Sequence, residues 1–150
     1  MFEKFEGPMA GDQVDLYSPT ISKSLAILPD VEMTYAELFK DPRASPSTFE
    51  IADEGLSKLV ERIRDYASSN VQLILIEGYT DLSGSSDANQ AESYQRALAV
   101  RASIIKELNF KPERVVAVGY GDGEQKPIGV AAESKKLNRR VIIRAINLPQ

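Results

Sequence analysis

Histidine and cysteine are both absent from this chain of 150 residues, and the two absences exclude a good deal of chemistry. There is no disulfide framework, no zinc site of the usual ligands, no cysteine nucleophile, no haem axial histidine and no Ser-His-Asp triad. A bound metal would need oxygen ligands, and a general base would have to be Asp, Glu, Lys or Tyr. Absent cysteine leaves the redox compartment open, because such chains suit an oxidising space or the cytosol. Long apolar runs are missing too. Leu73-Ile74-Leu75-Ile76 is far short of a membrane-spanning helix. The opening Met1-Phe2-Glu3-Lys4-Phe5-Glu6-Gly7-Pro8 lacks the basic-then-apolar order of a signal peptide. Two expectations remain: a cytosolic protein, or one whose export signal or anchor lies outside this stretch. Gly7-Pro8-Met9-Ala10 has the look of a vector junction.

What is there describes one ordinary domain. The length suffices for a single core, and 43% hydrophobic with 27% charged residues is a globular composition. Against 22 Asp+Glu stand 18 Lys+Arg, for a net charge of −4. That balance argues against a duplex nucleic-acid binder, which carries a clustered basic face.

Residues 1–30 are punctuated by Gly7, Pro8, Gly11, Pro19 and Pro29 and read as an irregular extension on the domain. Short pieces are expected at Val14–Tyr17 and Leu25–Leu28. The domain proper is expected over 31–150. Met33–Phe39 reads as a strand stopped by Lys40-Asp41-Pro42. Ser47-Thr48-Phe49-Glu50 has the form of a capping box, opening a helix whose apolar face is Ala52, Leu56, Leu59, Val60, Ile63 and Ala67. Val71–Tyr79 predicts a strand buried on both faces. A second long helix is expected from Asp87 to Leu108, then a strand at Arg114–Val118, a short helix near Ala131–Leu137 and a last strand at Arg140–Ile146. The order β-α-β-α-β-(α)-β predicts an α/β (α+β) two-layer sandwich, one mixed sheet with helices packed on it.

The second helix is the informative one. Val100, Ile104 and Leu108 define its core stripe. At about 100° per residue, Asn89, Ser93 and Arg96 fall on the flank of that stripe, with Glu92, Gln95, Ala99 and Lys106 expected on the solvent side. Polar groups in this position should look into a cleft. Asp81 stands just before the helix, at the C-terminal end of a buried strand, the usual ligand-binding rim of an α/β layer. An Asp attracts an ammonium and an Arg grips a carboxylate, so the two together suit a zwitterionic head group. Spacing alone leaves open that Asp81 and Arg96 pair with each other, or that Asp81 caps the helix.

Four linked motifs resemble one family. They are Gly78-Tyr79-Thr80-Asp81-Leu82-Ser83-Gly84, Asn89-Gln90-Ala91-Glu92-Ser93-Tyr94-Gln95-Arg96-Ala97, the Gly119-Tyr120-Gly121 to Lys126-Pro127 turn, and Asn138-Arg139-Arg140-Val141. Over residues 76–147 the chain is similar to the C-terminal peptidoglycan-binding domain of the OmpA family, shared with the flagellar stator protein MotB and the lipoprotein Pal. The resemblance implies an OmpA-like fold and non-covalent binding of the diaminopimelate residue of the peptidoglycan stem peptide. By the same resemblance Asp81 would contact the ligand's amine, Arg96 would clamp its carboxylate, Asn89 and Arg139 would line the pocket, and Thr80 is a weaker candidate. It implies no cofactor and no metal, and a periplasmic wall anchor within an outer-membrane, lipoprotein-anchored or inner-membrane-anchored protein. Partners would be peptidoglycan, other envelope proteins and a possible homodimer, with no nucleic acid.

The chain departs from the pattern in four places. Tyr79 stands for the usual His, Glu92 for the usual Leu, the glycine turn is one residue longer before Pro127, and Ile142 stands where an acidic residue commonly follows. Gly119-x-Gly121-x-Gly123 lacks the Gly-Lys-Ser/Thr of a phosphate cradle. Two further readings are carried: a protein-interaction domain of a secretion or stator-type machine that has lost wall binding, and a hydrolase using Asp81 with Glu92. The second is set aside because helical projection puts Glu92 outside.

Overall fold

A computed structural model describes residues 28–126 and 131–147. The chain runs through β1 (Val31–Thr34), the one-turn helix α1 (Tyr35–Leu38), α2 (Asp53–Ser68), β2 (Leu73–Tyr79), α3 (Ser86–Leu108), β3 (Val115–Gly121), α4 (Ala131–Asn138) and β4 (Arg140–Ile146). The strands form one sheet in the order β1-β4-β2-β3. β4 is antiparallel to both neighbours, while β2 and β3 are parallel. A parallel pair needs a crossover, which α3 supplies. The sheet is mixed and the fold is α+β, as the strand and helix order predicts. The Val14–Tyr17 strand and most of the 1–30 extension lie outside the described residues, as does Pro127. Leu28 is partly buried against the core.

One face of the sheet builds that core. Met33, Ile74, Ile76, Val141 and Ile143 pack on Leu59, Ile63 and Tyr66 of α2 and on Ala97, Val100 and Ile104 of α3. The period-2 geometry of a strand sends alternate side chains to the other face, and the second face of β2, carrying Leu73, Leu75, Glu77 and Tyr79, is less completely buried than the first. Ile74 and Ile76 are buried, Leu73 and Leu75 half-buried. Glu77 stands on that second face, accepting from the Tyr79 hydroxyl at 2.8 Å and pairing with Arg144 at 3.1 Å. The core face of α2 also differs, with Gly55, Leu59, Ile63 and Tyr66 buried and Ala67 exposed. Tyr66 reaches the core because its hydroxyl donates to the carbonyls of Pro29 and Ile143, at 2.7 and 3.2 Å.

The expected Met33–Phe39 strand begins earlier, at Val31, and breaks after Thr34. Thr34 and Glu37 form a capping box, Thr34 Oγ1 accepting from Glu37 N at 3.2 Å and Glu37 Oε1 from Thr34 N at 3.0 Å, which turns 35–38 into a helix. The box expected at Ser47 is not used. Ser47 gives both its amide and its hydroxyl to Asp41, at 2.7 and 2.9 Å, and Ile51 is held extended by a bridge to Phe39. α2 therefore starts at Asp53, without a side-chain cap.

α3 sits unusually close to the sheet. A Cβ on Gly78 would lie 2.2 Å from the Ser93 carbonyl oxygen, and one on Gly119 would lie 2.6 Å from the Tyr94 amide. Hydrogen in place of a side chain on both strands lets the helix backbone seat itself between them. Ser93 then donates to the Gln90 carbonyl and accepts from Gly121 N, both at 2.9 Å. This contact fixes where the first turns of α3 stand over the strand ends.

Candidate functional site

The loop between β2 and α3 is held mainly by its own backbone. Thr80 N donates to the Gly121 carbonyl at 2.7 Å and Thr80 Oγ1 to the Asp81 carbonyl at 3.0 Å. Thr80 is thus a buried turn partner. Asp81 Oδ1 accepts from Ser83 N at 2.7 Å, which orients the carboxylate. Asn89, on the first turn of α3, donates to Asp122 Oδ2 at 2.9 Å and to the Asp81 carbonyl at 3.5 Å, tying this loop to the turn after β3. Asp81 and Asn89 are both buried.

Glu92, Arg96 and Arg139 make a buried ion triad. Glu92 Oε2 accepts from Arg96 Nε at 3.2 Å and Nη2 at 2.9 Å, and also from Arg139 Nη2. The placement of Glu92 on the solvent side of α3 is therefore corrected: it is 7% exposed. Residues four apart share a helix face, and the long-range partner Arg139 draws that face inward. Arg96 is fully buried. Its other bonds go to the carbonyls of Asp41 at 2.7 Å and Arg43 at 2.9 Å, and it lies between the rings of Tyr35 and Phe39, at 4.5 and 4.6 Å. Burial pulls its pKa below the ordinary arginine value, against the Glu92 carboxylate. Arg139 Nε donates to the Pro42 carbonyl at 3.0 Å, while Nη1 is buried without a partner.

Segment 41–47 is thus tethered to both arginines by its carbonyls. Asp41 folds it: Oδ1 and Oδ2 accept from Arg43 Nε and Nη2, both at 2.9 Å, besides the Ser47 bonds. The Arg43 guanidinium, then the Ser47 amide, hold the Asp41 carboxyl far below the usual carboxylate range.

Two cavities flank this segment. One, of about 360 Å³, is lined by Asp81, Ser83, Arg139, Tyr35 and the exposed Lys135 and Lys136. The other, of about 380 Å³, touches Asn89, Glu92, Gln95 and Phe49. So Asp81 and Arg139 share a cavity, Asn89 faces the adjoining one, and Arg96 and Thr80 line neither. Asp81 and Arg96 do not pair with each other. A carboxylate and a guanidinium on one cavity wall can receive a ligand with a donor at one end and an acceptor at the other. Among the described residues no group of three or more acidic side chains converges as a metal site would need.

Tyr79 stands on the second face of the sheet. Its ring stacks on Tyr120 at 5.4 Å and lies under Arg140 at 4.3 Å. Burial and the hydrogen bond to Glu77 push its pKa well above the usual phenol value. Sequence reasoning missed Glu92 and Tyr35 as parts of the site. The Glu92/Arg96 spacing of four was the available signal; nothing local announced the carbonyls of residues 41–43.

The OmpA family model matches residues 45–140, more than half of the chain. Outer membrane porin F of Pseudomonas aeruginosa is 35% identical over 86 residues, 57% of this chain and 24% of that protein, so the chain spans about a quarter of this curated relative. Among solved structures, the peptidoglycan-associated lipoprotein from Burkholderia pseudomallei superposes with a TM-score of 0.57 at 28% identity, covering 65% of this chain and 82% of that one. The cell wall anchor of the T6SS from Pseudomonas aeruginosa gives a TM-score of 0.64 at 24% identity, covering 77% and 79%.

Proposed function

The chain belongs to the OmpA family, and from that premise we propose that it is a non-enzymatic module that binds peptidoglycan and anchors an envelope protein or complex to the cell wall in the periplasm. The observation that carries the reading is Asp81 and Arg139 on the wall of one cavity. Asp81 receives the amine of the diaminopimelate residue, and Arg139 meets the acyl end of the same residue. Asn89 and Thr80 hold the loop that aims Asp81. Arg96 acts from behind, fixing Glu92 and Arg139. The names of the similar lipoprotein and wall anchor support the same reading. Single contacts of this size bind modestly, so holding an assembly in place relies on many copies acting together. Other envelope proteins, and a second copy of this chain, are the remaining partners.

The hydrolase reading loses its second carboxylate, though not for the reason helical projection gives. Glu92 is inside, but two arginines hold it, and Asp81 faces a different cavity. A protein-interaction domain that has lost wall binding is the second reading, favoured by the same observation, since Glu92 engages the pocket's cations.

Co-sedimentation with purified sacculi tests both. The wild-type chain should pellet with the wall and Asp81→Ala should stay in solution while still melting cooperatively. Equal pelleting of the two removes the pocket assignment. A wild-type chain that never pellets selects the second reading.

A further inference from the structure

The two edges of the sheet are unlike. β1 is four residues long, carries Glu32 paired with Lys126 and Arg140, and runs straight into a helix. Short, charged edges of this kind resist pairing with another chain. β3, at the opposite edge, reads Val115-Val116-Ala117-Val118-Gly119-Tyr120-Gly121, without a single charge. Val116 and Tyr120 are 39% and 47% exposed, and Tyr94 on the neighbouring flank of α3 is 44% exposed. Between β3 and that flank, formed by Asp87, Gln90, Ala91 and Tyr94, runs a groove of about 510 Å³. The Val115 carbonyl accepts from Arg101 Nε at 2.7 Å and so points away from β2. Backbone groups alternate in direction along a strand, so the amides and carbonyls of Ala117 and Gly119 also point outward, to a side where the described residues place no strand.

We infer that a second copy of this chain docks on this edge, β3 pairing antiparallel with β3 about a twofold axis at Val118. In that register Ala117 lies opposite Gly119 of the second copy, and each such pair exchanges both N–H···O bonds. Val116 then lies opposite Tyr120, an exposed aliphatic group on an exposed ring, which is a favourable cross-strand pair. Charge agrees with the direction. Lys111, Glu113 and Arg114 precede the strand, and Asp122 and Glu124 follow it, so antiparallel pairing sets a net basic end against an acidic one. There is room for the helices as well. α3 is seated between β2 and β3, and with strands about 4.8 Å apart the two copies of α3 stand about 10 Å apart, an ordinary packing distance. Neither the Asp81/Arg139 cavity nor its neighbour contains a residue of β3, so both copies keep their cavities open. The inference goes beyond the wall-binding reading and stands without it.

A chain with no cysteine makes the test direct. In sedimentation velocity the full chain should show a dimer whose share rises with concentration. Val116→Lys, which sets a charge on the edge, should raise the dissociation constant about tenfold or more while melting like wild type. Val118→Cys should form a covalent dimer under mild oxidation, because its side chain directly faces its own counterpart within reach of a disulfide. Val116→Cys, whose counterpart lies four residues along the strand, should stay uncoupled, and the double variant Val116→Cys/Tyr120→Cys should couple. A wild type that remains monomeric at its highest soluble concentration overturns the inference, as does a dimer indifferent to Val116→Lys. Equal coupling of the two single cysteine variants overturns the pairing. Sacculi play no part in these readouts, so wall binding can fail while the dimer stands.

Discussion

The guanidinium of Arg96 lies 4.5 Å from the centre of the Tyr35 ring, joining the third turn of the long helix to the segment that follows the first strand. A cation buried against an aromatic face, with its N–H groups on carbonyls and a carboxylate, is a structural joint.

Arg96→Ala is accordingly expected to cost stability before it costs binding. Removing one partner of a buried, hydrogen-bonded pair costs about 3 kcal/mol or more, so the urea midpoint should fall clearly. Asp81→Ala, which loses one local turn bond, should cost about 1 kcal/mol. Equal, small losses for both variants would show that Arg96 is no joint.

Gly78→Ala should also be destabilising. A methyl group 2.2 Å from the Ser93 carbonyl oxygen forces the helix off the strand, at about 2–3 kcal/mol. Thermal unfolding of this variant against Gly84→Ala, where the nearest atom is 3.4 Å away and belongs to a side chain but φ is +77°, separates overpacking from backbone strain. Overpacking predicts the larger loss at Gly78.

The Asp41 carboxyl, held below its usual range by Arg43 and Ser47, gives a pH signature. A carboxyl with a depressed folded pKa stabilises fully above its unfolded value, and the contribution fades as pH falls toward the folded value. The melting-temperature gap between wild type and Asp41→Asn should be constant above about pH 5 and should shrink below about pH 4. A gap that widens in acid would contradict the assignment.

Wall binding should be nearly flat between about pH 6 and 8, because the chain contains no histidine to change charge there. It should weaken with salt, since exposed cations at the rim are screened over about 10 Å at 0.1 M. Pelleting across a pH and sodium chloride grid measures both, and a steep pH dependence at constant salt would point to a group outside the proposed site.

Much of the fold was legible because its elements carry local signals. The last strand falls on Arg140–Ile146 as its apolar pattern predicts, and the long helix begins at Ser86 rather than Asp87. The capping boxes show where local signals stop. Thr34-x-x-Glu37 and Ser47-x-x-Glu50 look alike, but only the first is used, because Asp41 takes the Ser47 donors. The site was legible in its motif residues and not in its wiring. Projection on one helix placed Asn89 and Arg96 on a flank, yet it could not show that residues 41–43 cover that flank and that Arg139 draws Glu92 beneath it.

The sheet order has a consequence for how the chain is made. β4 lies between β1 and β2, so those early strands have no mutual hydrogen bonds and wait for a strand that begins at Arg140. Until residue 146 is available the helix α3 and the β2–β3 pair can form a local nucleus, but the first strand has nowhere to dock. Synthesis must reach that strand before the sheet can close.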